Sequence, residues 1–278
     1  MPADLHCHTK MSDGSAGIDE IIQMARRRGL SAIAITDHDT QAGNTRAKVI
    51  GERQGITVIP GIEISAYDFV RNKKVHILGY LCDKPDRLEG LCKQTGESRK
   101  QANQAAAQAV IRRFPITADM IMRRAQGSTN LYKQHIMHAL IDAGCSSTVY
   151  GDLHTRLFSR DKGLAFSPLT YPDVYSAIDL IKDAGGITVL AHPALYGNFE
   201  LLPELAEKGL DGVEIWHPSA SAEDVANLKK LSADLGLLMT GGSDFHGMYS
   251  AVPNMIGSYV TPDEHFARML EYKKAIKN

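Results

Sequence analysis

The segment DLHCHTKMSDGSAGIDEIIQMARRRGLSAIAITDHD, residues 4–39, contains one complete strand, helix and strand. Asp4 to Cys7 is a short strand candidate. The apolar spacing of Ile18 to Arg28 predicts an amphipathic helix that stops at Gly29, and Ala32 to Thr36 is a second apolar run of strand length. Alternation along the first strand sends His6 and His8 to one face and Cys7 to the other, so two imidazoles converge where the strand ends. The second strand ends similarly, on Asp37, His38 and Asp39. One histidine pair is explained as well by hydrogen bonding in a core as by metal binding or acid/base work.

The same unit recurs outward from this segment. Further strand candidates are Thr57 to Ile64, Val75 to Leu81, Ile187 to Ala191, Gly212 to Trp216 and Leu237 to Thr240. Helix candidates between them include Thr45 to Gln54, Pro172 to Ala184, Ala222 to Leu235 and Pro262 to Ile276. Such alternation defines an α/β class and predicts a parallel sheet. Seven strands without a strong break favour a closed or distorted barrel over an open doubly wound sheet. No GxGxxG or GxxxxGK[ST] loop is present, which leaves a dinucleotide site or P-loop unsupported. Ser243 lacks the GxSxG context of a nucleophile elbow.

Between the fourth and fifth strands the pattern turns wholly helical, in ESRKQANQAAAQAVIRRF, ITADMIMRRA and NLYKQHIMHALIDAG, broken by Pro115 and Gly127. An inserted helical subdomain is expected over 96–160, leaving and re-entering a barrel made of 1–95 and 161–278 on the side where βα loops emerge. The insertion carries nine Lys/Arg against four Asp/Glu, within a chain of 278 residues whose net charge is −1. A basic piece in an otherwise acidic chain suits anionic ligands. Hydrophobic content of 44% and charged content of 23% are those of an ordinary soluble globular protein. The four cysteines, Cys7, Cys82, Cys92 and Cys145, form no CxxC pair and read as free thiols in a reducing compartment. The first strand leaves no room for a signal peptide, and no apolar run approaches the roughly 18 residues of a membrane span. A cytoplasmic location is expected.

The metal-type residues fall on or just past the strands. His6 and His8 finish the first, with Asp13 in the loop after it; His38 finishes the second, Glu63 in GIEIS lies near the end of the third, and His76 in KVHILGY lies on the fourth. His192 in LAHP follows the fifth, and Asp244 and His246 in GGSDFHG follow the seventh. Six of the eleven histidines and three carboxylates so placed are poorly explained as nine separate core residues. Imidazole and oxygen without thiolate suit zinc, manganese or iron, and nine ligands are enough for two or three divalent ions with positions left open. Three such ions outweigh three carboxylates even after binding hydroxide, which leaves a positive site suited to phosphate.

The ordered set DLHCH, SDGS, TDHD, GIEIS, VHILGY, AHP and GSDFHG resembles the PHP (polymerase and histidinol phosphatase) superfamily across nearly the whole barrel portion. With its helical insertion the chain looks most like the stand-alone bacterial branch of TrpH-like (RNase AM-like) phosphoesterases. That resemblance implies a distorted (β/α)7 TIM-like barrel with a trinuclear centre. It implies one ion on His6, His8, Glu63 and Asp244, a second on Asp13, His38 and His246, and a third on Glu63, His76 and His192. The nine are then also the catalytic set. The chemistry implied is attack of a metal-bound hydroxide on a phosphate ester of a nucleotide or short oligonucleotide, of the 3',5'-bisphosphonucleotide phosphatase or 5'-3' exoribonuclease type.

Substrate contacts are expected from the basic insertion, above all Arg99, Lys133 and His135, with Arg112, Arg113, Arg123 and Arg124 as further candidates. The branch usually has arginine where Lys133 stands, and lysine offers a point charge in place of a bidentate fork. Arg160 and Lys162 are secondary candidates, and His217 in EIWHP, after the sixth strand, is expected either to touch substrate or to support a ligand. Asp37 and Asp39 are expected to orient His38. His138, His154 and His265 lie on or beside helices and read as structural. The insertion has only Phe114, Tyr132, Tyr150 and Phe158 for stacking, which favours small nucleotides or short oligomers over long RNA. Competing readings are a histidinol-phosphate phosphatase, an amidohydrolase, whose HxH does not predict TDHD, GIEIS and GSDFHG together, and a non-catalytic accessory module stabilised by its metals. No protein partner or membrane is called for.

Overall fold

In the computed structural model, which describes residues 2–160 and 162–277, the strands are β1 (Ala3–Asp4), β2 (Ala32–Ile35), β3 (Thr57–Asp68), β4 (Lys73–Tyr80), β5 (Ile187–Leu190), β6 (Gly212–Trp216) and β7 (Leu238–Gly241). They form one sheet in sequence order. The ends meet where the Leu5 N–H donates to Gly241 O at 3.2 Å and the His8 N–H to Phe245 O at 2.9 Å, so the sheet curls into a nearly closed barrel. Around it lie α1 (Ile18–Arg27), α2 (Asn44–Gln54), α3 (Glu89–Ile111), α4 (Ala118–Arg124), α5 (Lys133–Asp142), α6 (Asp152–Phe158), α7 (Val174–Asp183), α8 (Pro193–Tyr196), α9 (Leu202–Glu207), α10 (Ala222–Asp234) and α11 (Asp263–Lys277).

The sheet is not wholly parallel, contrary to the sequence expectation. β4 pairs antiparallel with both β3 and β5. Only residues 69–72 separate β3 from β4, far fewer than the dozen or so that a parallel crossover requires. The Asp68 carboxylate accepts the N–H groups of Val70 and Arg71, and Asn72 takes φ 56°, which turns the chain into a hairpin. The amino end of β4 therefore shares a barrel mouth with the carboxyl ends of the other strands. That is why His76, only the fourth residue of β4, still reaches that mouth.

Period-two alternation places the core. Ala32 and Ala34 of β2, Ile59 of β3 and Leu78 and Tyr80 of β4 pack together inside the barrel, where the Tyr80 hydroxyl donates to Leu5 O at 2.7 Å. Ile33 and Ile35 turn outward onto Ile18, Ile21 and Ile22 of α1. Followed toward the mouth, the interior parity reaches Glu63 on β3 and His76 on β4. A separate apolar cluster joins Ala106 and Val110 of α3 to Ile121, Ile136, Leu140 and Leu157 of α4–α6. α3 is continuous through residue 96, with Leu91 near its start packed in the barrel cluster, so the helical layer is carried on a stem rooted in the barrel. No helix among the described residues is long and apolar enough to cross a membrane.

Candidate metal centre

Glu63 faces two groups of imidazoles at once. Its Oε1 lies 2.8 Å from His76 Nδ1 and 2.8 Å from His192 Nε2, while its Oε2 lies 3.3 Å from His6 Nε2, 3.2 Å from His8 Nε2 and 3.2 Å from His38 Nδ1. Asp244 Oδ1 lies 3.4 Å from His6 Nε2 and 3.1 Å from His8 Nε2. Asp13 completes the other side, with Oδ1 3.2 Å from His246 Nε2 and Oδ2 4.0 Å from His38 Nε2. All nine residues singled out in the sequence thus meet at one mouth of the barrel. His8, Asp13, His38 and His246 offer ligand atoms within 4.8 Å of one another, as do His6, His8 and Glu63.

The backbone is bent to present them. His192 (φ 28°), Asp244 (φ 48°) and Asp39 (φ 54°) all lie in the left-handed region, where residues with a Cβ are strained and where functional sites commonly store that strain. Gly242 lets β7 approach β1: a Cβ there would come within 2.4 Å of His6 N and His6 Cβ.

His6 Nε2 and His8 Nε2 face each other at 3.1 Å, and His8 Nδ1, His192 Nδ1 and Asp244 Oδ1 are buried with no hydrogen-bond partner. Groups aimed at a shared central point have this arrangement, and a buried polar atom left unpaired is costly. Cys7 points away, toward Ser243, so the donor set is nitrogen and oxygen alone and fits borderline divalent ions.

Burial opposes charge throughout the cluster. At His6 it is outweighed by the Glu214, Asp244 and Glu63 carboxylates, which hold the imidazole well above its ordinary range. At His8 the Asp244 and Glu63 carboxylates outweigh it and push the imidazole up to about 10. The histidines around Glu63 and Asp244 hold both carboxyls well below their usual range despite burial. At His38 burial dominates and lowers the imidazole to about 3. The carboxylates and imidazoles thus stabilise one another's charge across the cluster.

The groups behind these residues differ from expectation. Glu214, which the sequence reading missed, lies 2.9 Å from His6 Nδ1 and accepts the His192 N–H at 2.9 Å. Asp37 accepts from Thr9 and Ser12 rather than from His38, and so ties down the loop that carries Asp13. Asp39 accepts the Ser65 N–H and the Arg99 guanidinium, not His38. His38 itself meets Ser65 Oγ at 3.5 Å.

Of the expected substrate contacts, Lys133 at the start of α5 lines a cavity of about 330 Å³ over the cluster, together with Lys74, His38 and His76. Arg99 also borders that cavity, but its guanidinium is committed to Asp39 at 2.5 Å and Ser65 Oγ at 3.0 Å and lies over the Tyr132 ring. His135 is buried and accepts the Tyr132 N–H as a cap of α5; it lines a different cavity, beside Tyr249. Arg160 donates to the Tyr67 hydroxyl at 3.1 Å in a groove next to the cavity. The Ser219 N–H donates to His217 Nδ1, which leaves Nε2–H to meet Asp244 Oδ2 at 3.2 Å, so His217 holds a candidate ligand in place. A carboxylate inside an apolar strand was the available signal for Glu214; nothing in the sequence distinguished the cap at His135.

Residues 4–186 match the family model described as the PHP domain. The chain is 39% identical over 92% of its length to the phosphoribosyl 1,2-cyclic phosphate 1,2-diphosphodiesterase of Eggerthella lenta, covering 98% of that protein. It is 31% identical over 87% of its length to the 5'-3' exoribonuclease Rnm of Escherichia coli, covering 84% of it. Among solved structures, a Bifidobacterium adolescentis chain assigned as a metal-dependent phosphoesterase superposes with a TM-score of 0.87 at 31% identity, over 96% of this chain and 95% of that one.

Proposed function

The chain belongs to the PHP domain family and is a phosphoric ester hydrolase, and from that membership we propose that it acts on phosphate esters of ribose compounds, either nucleotides or short oligonucleotides, with two to three divalent ions. The observation that carries the reading is Glu63, whose two oxygens serve the His76/His192 pair and the His6/His8 pair separately. The residues that would hold the ions are His6, His8, Glu63 and Asp244; Asp13, His38 and His246; and Glu63, His76 and His192. Manganese, iron or zinc in these positions would supply Lewis acidity and a nucleophile at neutral pH.

The protein's own residues do the rest. Glu214 and His217 fix the orientation of His6 and Asp244. Lys133 and Lys74, on the wall of the cavity over the cluster, attract and seat the phosphate. Arg99, paired with Asp39, keeps that wall rigid. The four free cysteines support a cytoplasmic site of action.

The test is turnover by the ion-reconstituted protein on adenosine 3',5'-bisphosphate, a 5'-phosphorylated oligoribonucleotide, phosphoribosyl 1,2-cyclic phosphate and histidinol phosphate. Hydrolysis of a ribose ester in preference to histidinol phosphate is expected. No turnover on any of the four, with ions bound, would favour a non-catalytic module.

A further inference from the structure

The cavity over the candidate metal centre adjoins a groove of about 500 Å³, and the two share Lys74, Lys133, Leu169 and Tyr171. The groove is built from parts of the chain distant in sequence: Tyr67 near the end of β3 and Phe69 in the turn after it, Phe158 at the end of α6, and Phe166 and Tyr171 in the segment leading to α7. The Tyr67 and Tyr171 rings are nearly parallel, 7° apart in plane and 6.0 Å between centroids, and Phe69 lies 5.2 Å from Tyr67. Phe69 is 61% exposed, a large ring held out on a hairpin beside the mouth. Cations edge the rings: Lys74 Nζ is 5.9 Å from the Tyr171 centroid, and Lys133 Nζ is 5.4 Å from that of Phe158.

Rings for stacking interleaved with cations for phosphate are what a nucleotide requires, and a bare sugar phosphate leaves the rings uncovered. We propose that this groove is a nucleobase subsite: the base of a nucleotide stacks on the rings around Phe69 and Phe166 while its phosphate passes Lys74 and Lys133 to the cluster. The proposal rests on the phosphoesterase reading of the metal centre and deepens it, assigning the base of the substrate to this groove and the discrimination against base-free sugar phosphates to Phe69 and Phe166.

The test measures binding by titration calorimetry to the full chain without added ions. The ligands are adenosine 3',5'-bisphosphate, the abasic 1-O-methylribose 3,5-bisphosphate that keeps both phosphates, and a 5'-phosphorylated adenine trinucleotide. The base-bearing ligand is expected to bind about tenfold tighter than the abasic one. In Phe69→Ala and in Phe166→Ala that ratio should shrink severalfold. Phe69 is exposed, so its removal leaves folding intact. A trinucleotide that binds no better than the free nucleotide identifies a one-base subsite, whereas a much tighter one places further bases in the groove; both support base recognition. Equal affinity for base-bearing and abasic ligands, including none for either, or a ratio unchanged in both variants, overturns the proposal. Failure of the ion-loaded protein to hydrolyse any ester overturns the phosphoesterase reading instead, and leaves the binding ratio to decide the groove.

Discussion

Glu214 meets Nδ1 of His6 at 2.9 Å, so that the opposite nitrogen of the same ring, Nε2, is the one turned into the cluster. In the neutral ring that an ion would bind, the carboxylate fixes the tautomer, because an Nδ1–H donated to Glu214 leaves a lone pair on Nε2. The same carboxylate accepts the His192 N–H. Replacing Glu214 by Gln removes the charge and keeps the shape. We expect ion affinity to fall roughly 10–100-fold with the fold intact, read by competition with a chelator. Wild-type affinity in Glu214→Gln would remove this role.

Glu63 is expected to matter for more than one ion. With Oε1 beside His76 and His192 and Oε2 beside His6, His8 and His38, its loss opens two positions, whereas the loss of His76 opens one. Glu63→Gln should lower the metal content measured by mass spectrometry by more than His76→Ala does. Activity should fall by about a thousandfold or more, on the order expected when a principal electrostatic element is removed. Equal metal content in the two variants would argue against a bridging carboxylate.

The parts of this site legible in the sequence are those on or just past strand ends, where Asp13, His38, His192, Asp244 and His246 fall, and those governed by parity. Parity placed His6 with His8, and interior parity on β3 and β4 leads from Ile59 to Glu63 and from Tyr80 to His76. Parity carries no direction, however, so the reversal of β4 was hidden; it is set by the Asp68 and Asn72 turn chemistry in a loop too short for a crossover. Contacts that depend on the third dimension were also hidden. Counting aromatic residues within 96–160 alone missed the groove, whose rings Tyr67, Phe69, Phe166 and Tyr171 come from outside that range. Arg99 read as a phosphate ligand because the sequence cannot show Asp39 beside it.

That pairing predicts a stability role for Arg99. Asp39 is buried, and its second oxygen has the Arg99 guanidinium at 2.5 Å. Removing one partner of a buried pair typically costs about 3–5 kcal/mol because the other charge is left without compensation. Arg99→Met should therefore shift urea unfolding by that order, and the Arg99→Met/Asp39→Asn double variant should recover part of it. A variant of unchanged stability with a raised KM would return Arg99 to the role of substrate contact.

Lys133 sets the expected pH dependence. Burial, with repulsion from Lys74 and Arg99, holds its ammonium down to about 8. Because the folded pKa lies below the unfolded one, its contribution to stability is full at alkaline pH, above the ordinary lysine value of about 10.4, and is lost as pH falls through 8. Substrate binding runs in the opposite direction. The protonated form attracts a phosphate dianion, so KM should rise as pH increases through about 8, and a bound anion should in turn hold the proton on Lys133. Arginine keeps its charge over this range, so Lys133→Arg should show a flatter KM profile between about pH 7 and 9.5. Ionisations of the cluster itself are common to both proteins and cancel in the comparison. Parallel KM profiles for wild type and Lys133→Arg, at fixed ionic strength and ion content, would mean that the charge on Lys133 does not seat the phosphate.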